Sequence, residues 1–227
     1  MEYGIDELKK ELRILLDQNR VSTKLISAGD YDALAMDEII EGRILDAARF
    51  VTQVAPMHML SDVVKEIDTS VVNKTVGFGP SFTIPLPDDF LRLARFYMEG
   101  WGHPVFNAFS SSSPSYAMAC NEYSPVGTKH HPLVFLSADS SNKMLEVFCK
   151  GCEGYVFKDC LYVGIPELDD KEEKIKIGEI AKTPTMYYAA YLVANSIQDA
   201  ETAKRMLEVC KGMLFSNAEG TERLLNE

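Results

Sequence analysis

The sharpest chemical pattern in the chain is Cys149-Lys150-Gly151-Cys152. Two thiolates at this spacing around a glycine can grip one zinc ion from a tight turn. A structural zinc site needs four ligands, and the near candidates for the remainder are Cys160 and the His130-His131 pair. No second C-x-x-C pair follows. A redox dithiol would sit at a helix N-terminus after a strand, whereas this pair falls between two strand-like segments. Ordinary cysteines of a β-hairpin are therefore the preferred reading, and Cys149 and Cys152 are expected to be dispensable. With Cys120 and Cys210 the cysteines number five, an odd count that suits free thiols in a reducing compartment better than a disulfide framework.

The remaining candidates carry less. His58, His103, His130 and His131 are the whole histidine inventory, and none stands in an H-E-x-x-H pattern. No G-x-S-x-G elbow offers a nucleophile. Gly77-Phe78-Gly79-Pro80 lacks the third glycine of a dinucleotide fingerprint, and Pro80 removes a donor that phosphate would need. Asp88-Asp89 follows Pro87 and reads as a cap or turn before it reads as an acid–base pair. Asp169-Asp170-Lys171-Glu172-Glu173-Lys174 reads as a solvated charge run or linker. No catalytic residue, cofactor-binding residue or metal ligand is assigned, and no enzymatic activity is expected.

Whatever the chain does, its surface is acidic: 23 Lys+Arg face 34 Asp+Glu over 227 residues, for a net charge of −11. A basic face for gripping phosphate is missing, which argues against tight nucleic-acid wrapping. Residues 71–165 carry 7 basic and 8 acidic side chains, so they are nearly neutral, yet they hold 15 of the 22 aromatic residues. Base stacking there would need interleaved cations, so core packing or subunit contact is the expected use of the rings. Met1–Leu16 shows no apolar export segment, and the longest apolar run falls far below the roughly 18–20 residues of a membrane span. No membrane association is expected.

The elements follow from periodicity. Ile5, Leu8, Leu12 and Leu15 recur at helical spacing, as do Ala33, Met36, Ile40, Ile44, Ala47 and Val51 in a helix expected to end near Pro56. A shorter helix is expected around Leu60, Val63, Val64 and Ile67. Thr183-Pro184 reads as an N-cap with proline at the first helical position, and Asp199 as a second N-cap, giving an αα-hairpin. Between these lie strand-like runs at 132–137, 144–149, 155–157 and 161–165, expected to form a small antiparallel sheet. Phe90–Glu99 fits a strand or a buried helix equally. Ser110–Ser115 is expected to be an exposed loop tip. The fold class expected is α+β: residues 1–70 and 166–215 form a helical bundle, 71–165 an antiparallel β-rich insertion domain, and 216–227 a C-terminal docking tail.

In this order of elements the chain resembles the head-to-tail adaptor proteins of tailed bacteriophages, the connector, ring or neck group that includes tail-tubular-A-like proteins. The residues carrying the resemblance are the helix Ile39–Val54, the segment Ile84-Pro85-Leu86-Pro87-Asp88-Asp89-Phe90-Leu91-Arg92-Leu93, and Trp101. An insertion closing on Tyr162-Val163, the run Thr185–Ala194 and a last helix with Ala203 complete it. Gut-associated, crAss-like phages offer the closest likeness. The Cys149/Cys152 pair departs from that pattern. The resemblance implies a non-enzymatic virion protein, assembled in the host bacterial cytoplasm. It would form a dodecameric ring between portal protein and tail or further ring proteins, lining a channel through which DNA passes without sequence-specific binding. An acidic lumen repels phosphate and suits that passage. The competing reading is a small metal- or thiol-dependent enzyme or binding module using Cys149, Cys152 and Cys160.

Overall fold

The computed structural model describes residues 1–16, 36–74, 81–121, 123–139, 142–150, 156–169, 171 and 173–215. The Gly77–Pro80 turn, Cys152 and the tail 216–227 lie outside the described residues. The chain divides into two units, Met1–Val63 with Pro166–Glu227, and Val64–Ile165.

In the first unit, strand β1 (Glu2–Gly4) leads directly into helix α1 (Ile5–Leu15), whose Ile5, Leu8 and Leu12 are buried. Helix α2 (Met36–Val54) buries Ile40, Ile44, Ala47, Ala48 and Val51, the i, i+4, i+7 face that its spacing predicts. Ala55 and Pro56 then stop it. Helices α4 (Lys182–Ser196) and α5 (Ala200–Phe215) form the αα-hairpin. Gln198 turns the chain in the left-handed region at φ 63°, and the Asp199 N–H reaches back to the Ala194 carbonyl at 2.9 Å. Asp199 then caps α5 by accepting the Thr202 N–H at 3.1 Å. Helix α4 starts one residue earlier than Thr183, so Pro184 lies within its first turn, where a missing N–H leaves no acceptor wanting. Its small residues Ala189, Ala190 and Ala194 are fully buried, which lets α1, α2 and α5 pack closely around it.

The expected helical bundle is corrected by a sheet. Strands β10 (Leu168–Asp169) and β11 (Lys174–Lys176) join β1 in the antiparallel order β1-β11-β10, within the same unit as the helices. The helices therefore do not make a bundle framework onto which all the β structure is inserted. Each unit has β structure of its own, and the fold is a sheet-rich α+β arrangement with helices towards both ends of the chain. The charge run is solvated as expected, since Asp169, Lys171, Glu173 and Lys174 are all exposed, but Asp169 and Lys174 also pair as the ends of β10 and β11. Ile175 is buried while Lys174 and Lys176 flank it outward, the period-2 alternation of a strand concealed by its charges. The shorter helix expected around Leu60, Val63, Val64 and Ile67 is corrected as well: a 3₁₀ turn (Met57–Met59) precedes strand β2 (Val64–Glu66). No described helix is long and apolar enough to cross a membrane.

The second unit holds two sheets rather than the one expected. β2 and β5 (Phe90–Met98) flank β9 (Phe157–Gly164), both antiparallel to it. The other sheet has the order β3-β4-β8-β7-β6, from β3 (Asn73–Lys74), β4 (Phe82–Pro85), β6 (Phe109–Ser110), β7 (Leu133–Asp139) and β8 (Asn142–Phe148). β6 joins β7 in parallel, the one departure from antiparallel pairing among these strands. Phe82, Ile84, Phe96, Met98, Leu145 and Val147 fill the core between strands. The serine run is not a loop tip: Ser110 belongs to β6, and Ser113 with Pro114 begins helix α3 (Pro114–Cys120).

Candidate interaction surface

The segment joining β5 to β7 positions the most distinctive surface. Residues 100–121 contain no Lys, Arg, Asp or Glu, in a chain of net charge −11. Within and just beyond this stretch Phe106, Phe109, Met118 and Tyr123 are exposed, Tyr123 to 91%. Single exposed apolar residues are ordinary, but four on one connection are not. The segment is held in place from beneath. Val105 bridges to Phe96 through reciprocal backbone bonds of 2.7 and 2.8 Å, and Phe109 rests on Phe135 with ring centroids 6.0 Å apart. Helix α3 lies on the outer face of the sheet. Tyr116 meets Phe135 and Phe148 edge-on at 5.1 and 5.6 Å, and Ala119 is fully buried among them.

Under α3 a carboxyl group is enclosed. Glu146 is 8% exposed and its Oε2 has no hydrogen-bond partner among the described residues, while its carboxyl group interacts with the Tyr116 hydroxyl. Burial, and then that carboxylate, push the Tyr116 hydroxyl pKa well up. Glu146 alternates with Phe148 on the outer face of β8, and the opposite face carries the core residues Leu145 and Val147. No sequence signal separates it from a solvated glutamate, because a strand facing water would show the same alternation.

Asp89 is structural, as its place after Pro87 suggests. Its carboxylate accepts the Lys65 ammonium at 2.5 Å and the Tyr162 hydroxyl at 2.9 Å, and its carbonyl accepts the Ile165 N–H at 2.7 Å. Gly164 makes room for it, since a Cβ there would stand 2.6 Å from Oδ2. Burial pushes the Asp89 carboxyl up, but the bonds from Lys65 and Tyr162 outweigh it and hold the group below its ordinary value. Tyr162 is pushed up to about 12 by burial and by the same carboxylate. Asp89→Asn is expected to destabilise the second unit by about 1–2 kcal/mol. A depressed carboxyl contributes stability present above its unfolded value, near pH 4, and lost as pH falls through the folded one. The variant should therefore show a flatter acid limb in urea titrations between about pH 5 and 2. An unchanged limb would remove Asp89 from the acid response.

The other candidates are dispersed. His58, His103, His130 and His131 are all exposed. Cys160 is a buried free thiol on β9, pushed up to about 12 by burial. Cys149 is buried and disulfide-bonded, so the all-thiol expectation fails there. Among the described residues no three His, Cys, Asp or Glu side chains are grouped to share a metal ion. In the first unit an open cleft of about 270 Å³ is lined by Ile5, Leu45, Leu168 and Ile175, with Glu38 and Glu41 beside them. Glu41 is paired with Lys9 at 2.5 Å, so this cleft offers no unpaired acid at that position. No protein-family model matches the chain, and no curated protein matches it.

Proposed function

We propose that the chain is a ring-forming structural subunit, the head-to-tail adaptor of a tailed bacteriophage, whose copies meet through the segment 100–121. The observation that carries this reading is a charge-free connection with exposed aromatic residues on an otherwise acidic protein. Copies that each carry −11 repel one another, and contact through a neutral apolar segment keeps the charges apart. Depletion of charge with enrichment of aromatics and Met is the composition of an interface core. Identical subunits meeting head to tail close into a ring when the rotation closes. Portal protein on one side and tail or further ring proteins on the other are the partners that the resemblance implies, and the acidic remainder of the surface suits a channel that lets DNA slide.

The test is the mass of the native full-length protein, alone and mixed with the portal ring of the same phage. A closed oligomer, free or on the portal, is expected. Substituting Phe106, Met118 and Tyr123 together with serine should weaken assembly by at least about tenfold, since a buried anchor is worth more than about 1 kcal/mol. The circular dichroism should be unchanged, because these side chains are exposed in the subunit. A wild-type chain that stays monomeric with and without portal, or a triple variant that assembles like wild type, overturns the reading.

A further inference from the structure

Tyr123, 91% exposed, stands on a pinned piece of backbone. Its N–H bonds the Asn121 Oδ1 at 3.0 Å, and the Asn121 carbonyl accepts the Ser124 N–H at 3.1 Å and the Lys150 ammonium at 2.6 Å. Lys150 is tied in turn, its N–H to the Gly127 carbonyl at 2.6 Å and its backbone to Thr128, which precedes the exposed Lys129. A ring fixed in this way loses little further freedom on contact. Across residues 100–138 the only charged side chains are Glu122 and Lys129, so the surroundings of the ring are neutral to weakly basic. The first unit differs. Residues 1–63 with 166–227 carry 15 basic and 24 acidic side chains, against 8 and 10 in residues 64–165. That acidic unit holds the open cleft of about 270 Å³, with Ile5, Leu45, Leu168 and Ile175 as its apolar wall and Glu38 and Glu41 beside them. A dry cavity of about 150 Å³ accepts benzene, so this cleft has room for a phenol ring. Gly42 opens it. The residue lies within α2, where glycine costs about 1 kcal/mol against alanine, and a Cβ there would meet nothing within 4 Å.

We propose that this cleft seats Tyr123 of a second copy of the chain, so that neighbours join head to tail, the second unit of one on the first unit of the next. The seat rests on the ring-forming reading and supplies the surface that receives the exposed segment. Charge favours it: an apolar cleft flanked by carboxylates meets an aromatic ring with Lys150 at its foot and Lys129 close by in sequence. Two first units placed together would instead set 24 acidic side chains against 24. Two second units meeting through the same patch would make an isologous pair, which closes at two copies and leaves the cleft open. One ring and one cleft on each copy give a heterologous contact that repeats from subunit to subunit. An aromatic side chain buried in a partner's pocket is also the commonest form of binding anchor, and tyrosine keeps its hydroxyl for the polar edge of the cleft.

Sedimentation velocity of the full-length protein, alone and with the portal ring of the same phage, supplies the test. Gly42→Trp fills the cleft and Leu45→Glu places a charge on its apolar wall, and each should weaken assembly by about tenfold or more. Tyr123→Ser should show the same loss, while Tyr123→Phe, which keeps the ring, should assemble like wild type. Neither cleft variant should melt below wild type, because the cleft lies open in the subunit. The decisive sample is a mixture. Tyr123→Ser keeps a cleft and Gly42→Trp keeps a ring, so the two combined one to one should form a dimer and nothing larger. If wild type assembles and either cleft variant assembles equally well, or the mixture yields no dimer, the seat is overturned and ring formation stands. Cleft variants that both melt lower, with no dimer on mixing, assign the cleft to the subunit's own residues and overturn the seat as well. A wild-type chain that stays monomeric with and without portal overturns the ring reading itself, and the seat with it.

Discussion

Phe96→Ala is expected to destabilise the unit formed by residues 64–165 by about 3–5 kcal/mol. The side chain is fully buried and sits where several parts of the core converge. Its ring lies 5.6 Å from Trp101 and 6.0 Å from Phe157, which in turn meets Phe82 edge-on at 5.8 Å. Its backbone bonds Val105 on one side and its strand pairs Cys160 on the other, so the surroundings are held too firmly to close over the void. A domain of this size has about 5–15 kcal/mol in total, so the variant should be close to its folding threshold at room temperature. Urea unfolding followed by Trp101 emission reads this unit, and far-ultraviolet circular dichroism at the helical minimum weights the other. A loss below about 1 kcal/mol would mean that the core relaxes into the space.

Gly178→Ala is expected to cost about 1–3 kcal/mol in the first unit, through a different cause. Gly178 lies buried between β11 and α4, and a Cβ there would stand 2.5 Å from the Met59 carbonyl oxygen and 3.3 Å from Asp62 Oδ1. A backbone oxygen cannot rotate away as a side-chain end can. The adjoining contact is also fixed, since Asp62 Oδ2 accepts the Glu179 N–H at 3.1 Å. Gly212 supplies the control of opposite sign: it lies within α5, and a Cβ there meets nothing within 4 Å. Gly212→Ala should stabilise by about 0.5–1 kcal/mol by reducing the freedom of the unfolded chain. Thermal melts of the two variants that moved in the same direction would refute the steric account.

How much of this was readable in the sequence follows the range of the interactions. The α2 face at Ile40, Ile44, Ala47 and Val51 and the cap at Asp199 are local patterns, and they are found where the spacing places them. Strand β2 reads as helix in the sequence because Val63, Val64 and Ile67 form a short apolar run that fits both periods, and only pairing of Val64 with Val163 decides it. The same limit hid the partition into two sheets, since the pairing of β9 with β5 rather than with β8 is set by residues far apart in sequence. The β10–β11 hairpin was lost beneath its charges. For the candidate surface, the aromatic composition of the middle third marks the same region that the exposed side chains do. The sharper signal is 22 consecutive residues without a charged side chain, a pattern that is silent about burial until the fold shows which of its rings are exposed.

The entry and exit of the second unit have a consequence for how such a chain can be taken apart. Its first strand, β2, is hydrogen-bonded to its last, β9, with Val64 opposite Val163 and Glu66 opposite Leu161. The two ends of residues 64–165 therefore leave the sheet side by side, about 5 Å apart, the spacing of paired strands. A segment with adjoining ends can be excised, closed on itself or moved into another loop without stretching its host. Residues 64–165 thus have the geometry of a transplantable cassette, and the flanking halves, rejoined by a short turn, are the scaffold it would leave behind.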